Sequence, residues 1–523
     1  TDPFVCRAFL VACSCDLQAK ALVMDMTAHN GYHGCPKCLE RGSHIDRRHQ
    51  YPCGEGGTHD LLRTHEETFA HATEAYTTKK TVYGIKGPSW LYLAPKFNLI
   101  RGMTIDYMHG ALLGITKGLM TLWFKSDRKE DYHCGHHLQE IDQMLLAMRP
   151  PLDIHRTPRS IQDHMQHWKA SELRAWLLFY SLPIMLHFLP TKYYEHYALL
   201  VSAMYILLKD SITEADLQKA DDLLKQFVEG YGKQHMYGST RVSLNVHSLL
   251  HYVNTVRELG PLWAHSCFFF EDVNGQVLRL IHGTQGVEEQ VLRAVAILQK
   301  FSEMGEKCFE PGTASRKLYD RLSSVVLSPE ERSNFQQIAK GYHMVGTLKE
   351  EFRRANGTYG NLKKCHMDVV LANVDFVPER FIVYQRLMKD GEMIHSRMYG
   401  RPVRHNSYTI AFMSNGITCY GEVLYFLQAS VRTCSCSLAQ RTCQCDSVKS
   451  RHFAIVQCFE PVAPTEGDPE NANPLYSVPH IFKCKVTEAC AAVKLSYISG
   501  KVVSMYINGN IYVAKFPNRV EKD

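Results

Sequence analysis

Apolar residues recur at helical spacing through the middle of the chain and alternate at strand spacing toward its end. Ile141, Leu145 and Met148 predict a helix over Leu138–Met148. Ser171–Phe188 and Tyr193–Leu208 are apolar enough to be largely buried helices. Thr213 stands three residues ahead of Asp216, a capping-box-like start for Leu217–Tyr231. Val246–Leu259 reads as a helix stopped by Gly260-Pro261, and Val287–Phe301 as a further one. Earlier in the chain, Val5–Cys15 reads as a strand ending at Asp16. Residues 27–98 read as a loop-dominated stretch with short strands, and Gly110–Phe124 as a helix after Met103–His109. Phe268–Phe270 reads as a short aromatic strand. After about residue 365 the texture becomes that of strands: Phe381–Leu387, Ser407–Met413, Thr418–Leu427, His452–Phe459, Ser477–Val486 and Val502–Lys515, the last containing the turn Asn508-Gly509. These strands predict a β-rich C-terminal domain, a barrel or a sandwich. The pattern divides the chain into residues 1–125, 126–260, 261–345 and 365–523.

Composition narrows the class. Of 523 residues, 45% are hydrophobic and 21% charged, which fits packed globular domains and excludes wholesale disorder, collagen and coiled coil. No apolar run reaches the roughly 18–20 residues of a membrane span, so no membrane partner is expected. The chain opens at Thr1-Asp2-Pro3 with neither an initiator Met nor a secretory signal, and reads as a fragment whose start is missing. The net charge of +6 is uneven, with residues 352–523 carrying +7 and residues 1–351 carrying −1. A basic C-terminal part suits an anionic partner such as nucleic acid; a charge that serves only solubility fits equally.

Eight of the 18 Cys come in close pairs, Cys13/Cys15, Cys35/Cys38, Cys434/Cys436 and Cys443/Cys445, beside 27 His. Such pairs in a His-rich chain without a secretory signal favour metal sites over disulfides. Cys35-Pro-Lys-Cys38 is a C-x2-C knuckle whose two thiolates can reach one tetrahedral Zn²⁺, and it needs two more ligands. His247-Ser-Leu-Leu-His251 can supply them, because residues i and i+4 share a helix face. The alternative is two unrelated features. Cys434, Cys436, Cys443 and Cys445 could close a second, all-thiolate zinc site, against the alternative of reduced cysteines on a loop. Asp16, Asp106 and Glu271 each adjoin a strongly apolar segment, where a buried acid is costly unless it is paired or binds a metal. Converged, three such acids would hold two Mg²⁺ ions for phosphoryl transfer; otherwise they are ordinary acids at strand ends.

A resemblance bears on these alternatives. Cys15-Asp16-Leu17, Asn30-Gly31, Gly34-Cys35-Pro-Lys-Cys38 and Ile105-Asp106-Tyr-Met-His109 occur in that order. Val246-His247-Ser-Leu-Leu-His251, Gly260-Pro261-Leu-Trp and Phe270-Glu271-Asp follow. In order and spacing, from about residue 5 to residue 300, the chain resembles CACTA-type (En/Spm) cut-and-paste transposases. Trp168–Arg174 and Phe179–Pro183 look like the helical insertion of animal members. The resemblance implies an α/β RNase H-like catalytic core, made of residues 1–125 and 261–345 and split by an all-α insertion over 126–260. A separate β-rich domain at 365–523 follows it. It implies a catalytic triad of Asp16, Asp106 and Glu271 binding Mg²⁺ or Mn²⁺, and zinc held by Cys35, Cys38, His247 and His251. His109 looks like a motif residue near the active site, as a metal ligand or a proton handler. The implied function is metal-dependent cleavage and transfer of DNA strands in the nucleus, with transposon ends and target DNA as partners and a homo-oligomer on the DNA. The alternative is a domesticated, DNA- or chromatin-associated descendant that no longer transposes.

Overall fold

The computed structural model describes residues 7–51, 61–323, 336–339, 342–345, 350–353, 362–400, 404–433, 448–462 and 478–521. The centre of the molecule is helical. The segments Met108–Thr116 and Lys117–Lys125 form one continuous helix, followed by Leu138–Leu146, a broken run from Ala170 to Met185, Thr191–Leu207 and Glu214–Tyr231. Their apolar faces meet in one core that buries Trp123, Trp176, Tyr193, Tyr194, Tyr197 and Phe227 almost completely. Each such side chain contributes about 1.5–3 kcal/mol by leaving water. The helix Glu214–Tyr231 starts as its sequence predicts: the Thr213 side chain accepts from the Asp216 N–H, and the Asp216 carboxylate accepts from the Thr213 N–H.

The helix that begins near Met108 crosses the segment Leu244–Leu259 at close range. A side chain at Gly110 would meet the Tyr252 hydroxyl at 2.6 Å, and one at Gly114 would meet Asn245 Nδ2 at 2.3 Å. Glycine at both positions leaves room for the Tyr252 and Asn245 side chains.

The C-terminal region is an open antiparallel sheet. Its spatial order is Ile498–Lys501, Thr409–Ser414, Ile417–Arg432, Val448–Pro461, Ile481–Lys494, Asn510–Ala514, Val503–Ile507. Arg380–Tyr384 also pairs with Ile417–Arg432 and carries Glu350–Arg353 at its outer edge. A smaller sheet of Gln336–Ala339, Tyr342–Val345, Arg386–Lys389 and Glu392–His395 packs Leu387 and Ile394 against Phe412, Phe426 and Val456 of the large one. Among the described residues no sheet closes into a barrel. Asn508 (φ 49°) and Gly509 (φ 77°) make the expected two-residue hairpin turn.

The sheet and the helices share a core. Val503, Met505, Ile507, Tyr512 and Ala514 pack into the helical cluster. His480 Nε2 lies 2.7 Å from the Leu178 carbonyl while its ring stacks on Tyr205 at 3.9 Å. Lys501 and Asp153 form a buried ion pair at 2.6 Å.

Three sequence expectations need correction. The run Val5–Cys15 is not an extended strand: over residues 7–15 the only pairing is an isolated parallel bridge of Cys13 with Met103, and Phe9, Leu10 and Val11 are exposed. Apolar residues without a partner strand or a face to cover do not propagate a ladder. Residues 27–98 are not loop-dominated throughout. They contain the 14-residue helix His65–Thr78, capped by Thr64, besides the hairpin Ser43–Ile45/Arg48–Gln50. Phe268–Phe270 is not a strand but the first turn of the helix Phe268–Leu278, with Phe269 and Phe270 exposed and only Phe268 packed, against Tyr107. Three consecutive aromatics have no alternation, and the acids Glu271 and Asp272 that follow suit a helix N-terminus. Across the described parts of residues 7–125 and 261–323, regular β-structure is confined to the 43–50 hairpin, beside isolated bridges.

Candidate metal centre and the acidic cluster beside it

Cys35, Cys38, His247 and His251 come together from opposite ends of the helical region, with one ligand atom of each lying within 4.8 Å of the others. All four are buried. Cys38 Sγ is 3.2 Å from His247 Nε2, and the two Nε2 atoms are 3.3 Å apart. Zn–S bonds of about 2.3 Å and Zn–N bonds of about 2.0–2.1 Å in a tetrahedron require separations of this size. The residues therefore fit zinc by donor type, number and spacing.

The surroundings hold these ligands in place. The Arg63 guanidinium, itself buried, donates from Nε to the carbonyls of Cys35 (2.9 Å) and Cys38 (3.0 Å), locking the knuckle backbone. Its Nη2 donates to His33 and Tyr83 carbonyls. Tyr51 ties the knuckle to the histidine segment. Its N–H donates to Val242, its hydroxyl accepts from Gly34 N–H and donates to Gly31, and its ring lies 5.5 Å from that of His247. Burial pushes the Cys35 thiol up, but a hydrogen bond from Cys38 and the charges of His251 and His247 outweigh it and hold Cys35 well below the ordinary thiol value. The Cys35 hydrogen bond, together with burial, pushes the Cys38 thiol up.

A second group lies beside the first. Asp106 is buried and caps the helix after it, accepting from the N–H of Met108 (3.4 Å) and of His109 (3.0 Å). Its Oδ2 is 2.6 Å from His109 Nδ1, and its Oδ1 accepts from the Cys267 N–H at 2.8 Å. Burial pushes the Asp106 carboxyl up; the His109 ring and the two backbone N–H groups outweigh it and lower it. Hydrogen bonding to Asp106, then to Cys267, raises His109 to about 10. Cys267 Sγ is 3.3 Å from Ser14 Oγ. Lys20 is buried nearby, its ammonium donating to the Thr104 carbonyl, and burial lowers its pKa.

Among the described residues, no group of ligand atoms within 4.8 Å of one another joins Asp16, Asp106 and Glu271. Asp16 caps the helix Leu17–Val23, accepting from Ala19 N–H at 2.7 Å. Glu271 is exposed, one helical turn beyond Cys267, whose carbonyl accepts its N–H. Asp106 is grouped instead with His109 and Cys267, whose ligand atoms all lie within 4.8 Å. Cys434, Cys436, Cys443 and Cys445 lie outside the described residues.

Sequence reasoning missed Cys267, Arg63 and Lys20. Cys267 precedes the aromatic run with no partner at metal-ligand spacing, and neither basic residue stands in a motif, so no local signal marked them. No protein-family model and no curated protein matches the chain. No helix among the described residues is long and apolar enough to cross a membrane.

Proposed function

We propose that this chain is a metal-dependent DNA strand-cleaving and strand-transferring protein of the CACTA transposase type, built on an RNase H-like core. One observation carries the reading. The parallel bridge joins Cys13 to Met103, and Asp16 and Asp106 each follow three residues later, so both acids leave the same end of the paired segments. The Cys267 N–H bond to Asp106 brings the start of the helix Phe268–Leu278, and with it Glu271, to that end. These two contacts support the reading because they put the segments that carry the three acids on one side of the molecule.

In this reading Asp16, Asp106 and Glu271 hold the divalent ions, which supply charge neutralisation and nucleophile activation for phosphoryl transfer. The chain's own residues orient the site. Asp106 is aimed by the Met108, His109 and Cys267 N–H groups, and the half-buried His109 holds a proton at its Nδ1. The zinc group acts structurally, fixing the knuckle against the helix that leads to Cys267. The net +7 of residues 352–523 supplies phosphate contacts.

The test is nicking of transposon-end DNA by the full-length protein in Mg²⁺ or Mn²⁺. Glu271→Gln should reduce cleavage by orders of magnitude while DNA binding persists, and Asp272→Asn should change little. Full cleavage by Glu271→Gln would place the third acid elsewhere. One observation favours the domesticated, non-cleaving alternative: both Asp106 oxygens are already engaged within the chain. That reading predicts DNA binding with no metal-dependent nicking by wild type.

A further inference from the structure

The two ligand groups differ in kind. Cys35, Cys38, His247 and His251 make a closed set of four, all buried. Asp106, His109 and Cys267 make a set of three; Asp106 and Cys267 are buried, and the His109 side chain is 29% exposed. Structural zinc sites use four protein ligands, whereas catalytic ones use three and leave a position open to water or substrate. The second group has the latter form.

We infer that Asp106, His109 and Cys267 form a second metal site, open at one position and selective for a zinc-class transition ion over Mg²⁺. The inference rests on the reading above only in taking Asp106 as a metal ligand. It adds two partners of that aspartate, His109 and Cys267, which that reading does not use as ligands.

Three features argue for it. The donors are one carboxylate oxygen, one imidazole nitrogen and one sulfur. Mg²⁺ takes oxygen ligands and keeps its waters, so a thiolate discriminates against it, while zinc-class ions accept all three donor types. The ligands are also held before any ion arrives. The Cys267 N–H fixes Asp106 Oδ1, the His109 N–H fixes Oδ2, and Ser14 Oγ sits beside Cys267 Sγ to support the thiolate. Finally, the charges balance. One carboxylate and one thiolate neutralise a dication, so the loaded ligand set itself carries no net charge into a buried position.

The experiment counts metal. Full-length protein is loaded with Zn²⁺, dialysed, and its metal content measured by mass spectrometry for wild type, Cys267→Ser, His109→Ala and Glu271→Gln. Melting curves identify the folded variants. Cys267→Ser and His109→Ala should each lose one equivalent relative to wild type, whatever the total, and Glu271→Gln should lose none. In wild type, a graded chelator should remove this ion before the four-ligand one, and Mg²⁺ in hundred-fold excess should displace neither. This wild-type measurement stands even if both variants fail to fold. Unchanged metal in folded Cys267→Ser, loss confined to Glu271→Gln, a single class of ion under chelation, or displacement by Mg²⁺ would each overturn the inference. Two classes of bound ion with no DNA cleavage under any metal would leave the site standing and defeat the transposase reading instead.

Discussion

Removing the four-ligand zinc site should destabilise the helical region by a calculable amount. The site joins Cys38 to His247 across 209 residues of chain. A cross-link closing a loop of that length lowers the entropy of the unfolded chain by an amount worth about 5 kcal/mol at room temperature. Bond formation at the metal adds to this, since structural zinc in small fingers contributes roughly 10–16 kcal/mol at neutral pH. About 5 kcal/mol is therefore a floor. For a domain of this size each kcal/mol moves the melting temperature by about 2–4 °C, so the loss is about 10–20 °C.

The perturbations are chelation of wild type and the substitution Cys38→Ser, which removes the sulfur 3.2 Å from His247 Nε2. Urea unfolding of both proteins, with and without chelator and under reducing conditions, reads the effect. Wild type should lose at least about 5 kcal/mol on chelation. Cys38→Ser should begin near the chelated value and not respond further. Superimposable wild-type curves with and without chelator, or a Cys38→Ser variant that still responds, would refute the argument. The first outcome would mean that the four side chains pack as ordinary buried groups; the second, that a different set binds the ion.

Three other perturbations read different parts of the molecule. Arg63→Met keeps the bulk of the side chain but removes the donors to the Cys35 and Cys38 carbonyls, so zinc affinity should fall about 10–100-fold in a chelator competition while the ion still binds. His480 is fully enclosed against Leu178 and Tyr205, and burial lowers its pKa to about 3. Its neutral form therefore stabilises the fold fully above the unfolded value of about 6.5, and that stability is lost as pH falls toward 3, about 2 kcal/mol of it by pH 5. His480→Gln should shrink the difference in unfolding free energy between pH 7 and pH 5 by that amount, and an unchanged difference would count against it. Truncation at residue 365 should give aggregated protein on size exclusion rather than a soluble helical lobe, because it strips Val503, Met505, Ile507 and Tyr512 from the shared core.

Legibility in the sequence followed the range of the interactions. Where structure depends on local chemistry, the residues showed it: Thr213 and Asp216 cap the helix they predict, Gly260 ends the helix before it, and Asn508-Gly509 turns its hairpin. The four residues of the candidate metal centre were legible for the same reason. C-x2-C and H-x3-H are each short-range patterns, and a tetrahedral ion is the one common partner that needs both. What depends on distant partners was not legible. Phe268–Phe270 has strand composition, but its conformation is set by Cys267 docking on Asp106, 161 residues away. Arg63 supports the knuckle through backbone carbonyls, which have no sequence signature. The C-terminal strands were legible as a β domain, but alternation marks which residues face inward and not what they face. Met505 and Tyr512 face helices.

The two metal groups form one mechanical chain, which bears on why the zinc ligands are spread over 200 residues. Zinc would hold the knuckle to His247 and His251. The segment carrying those histidines lies against the helix that Asp106 caps, with Tyr252 and Asn245 facing Gly110 and Gly114. The same segment runs through Leu259 and the turn at Gly260 into Cys267, whose N–H reaches Asp106 from the other side. Asp106 is therefore fixed by two elements that meet only because one histidine-bearing segment contacts both. An ion bound within either lobe alone would stabilise that lobe but leave the approach of Cys267 to Asp106 unspecified. An ion shared by Cys35, Cys38, His247 and His251 would set that approach, and the Asp106, His109 and Cys267 group would depend on it.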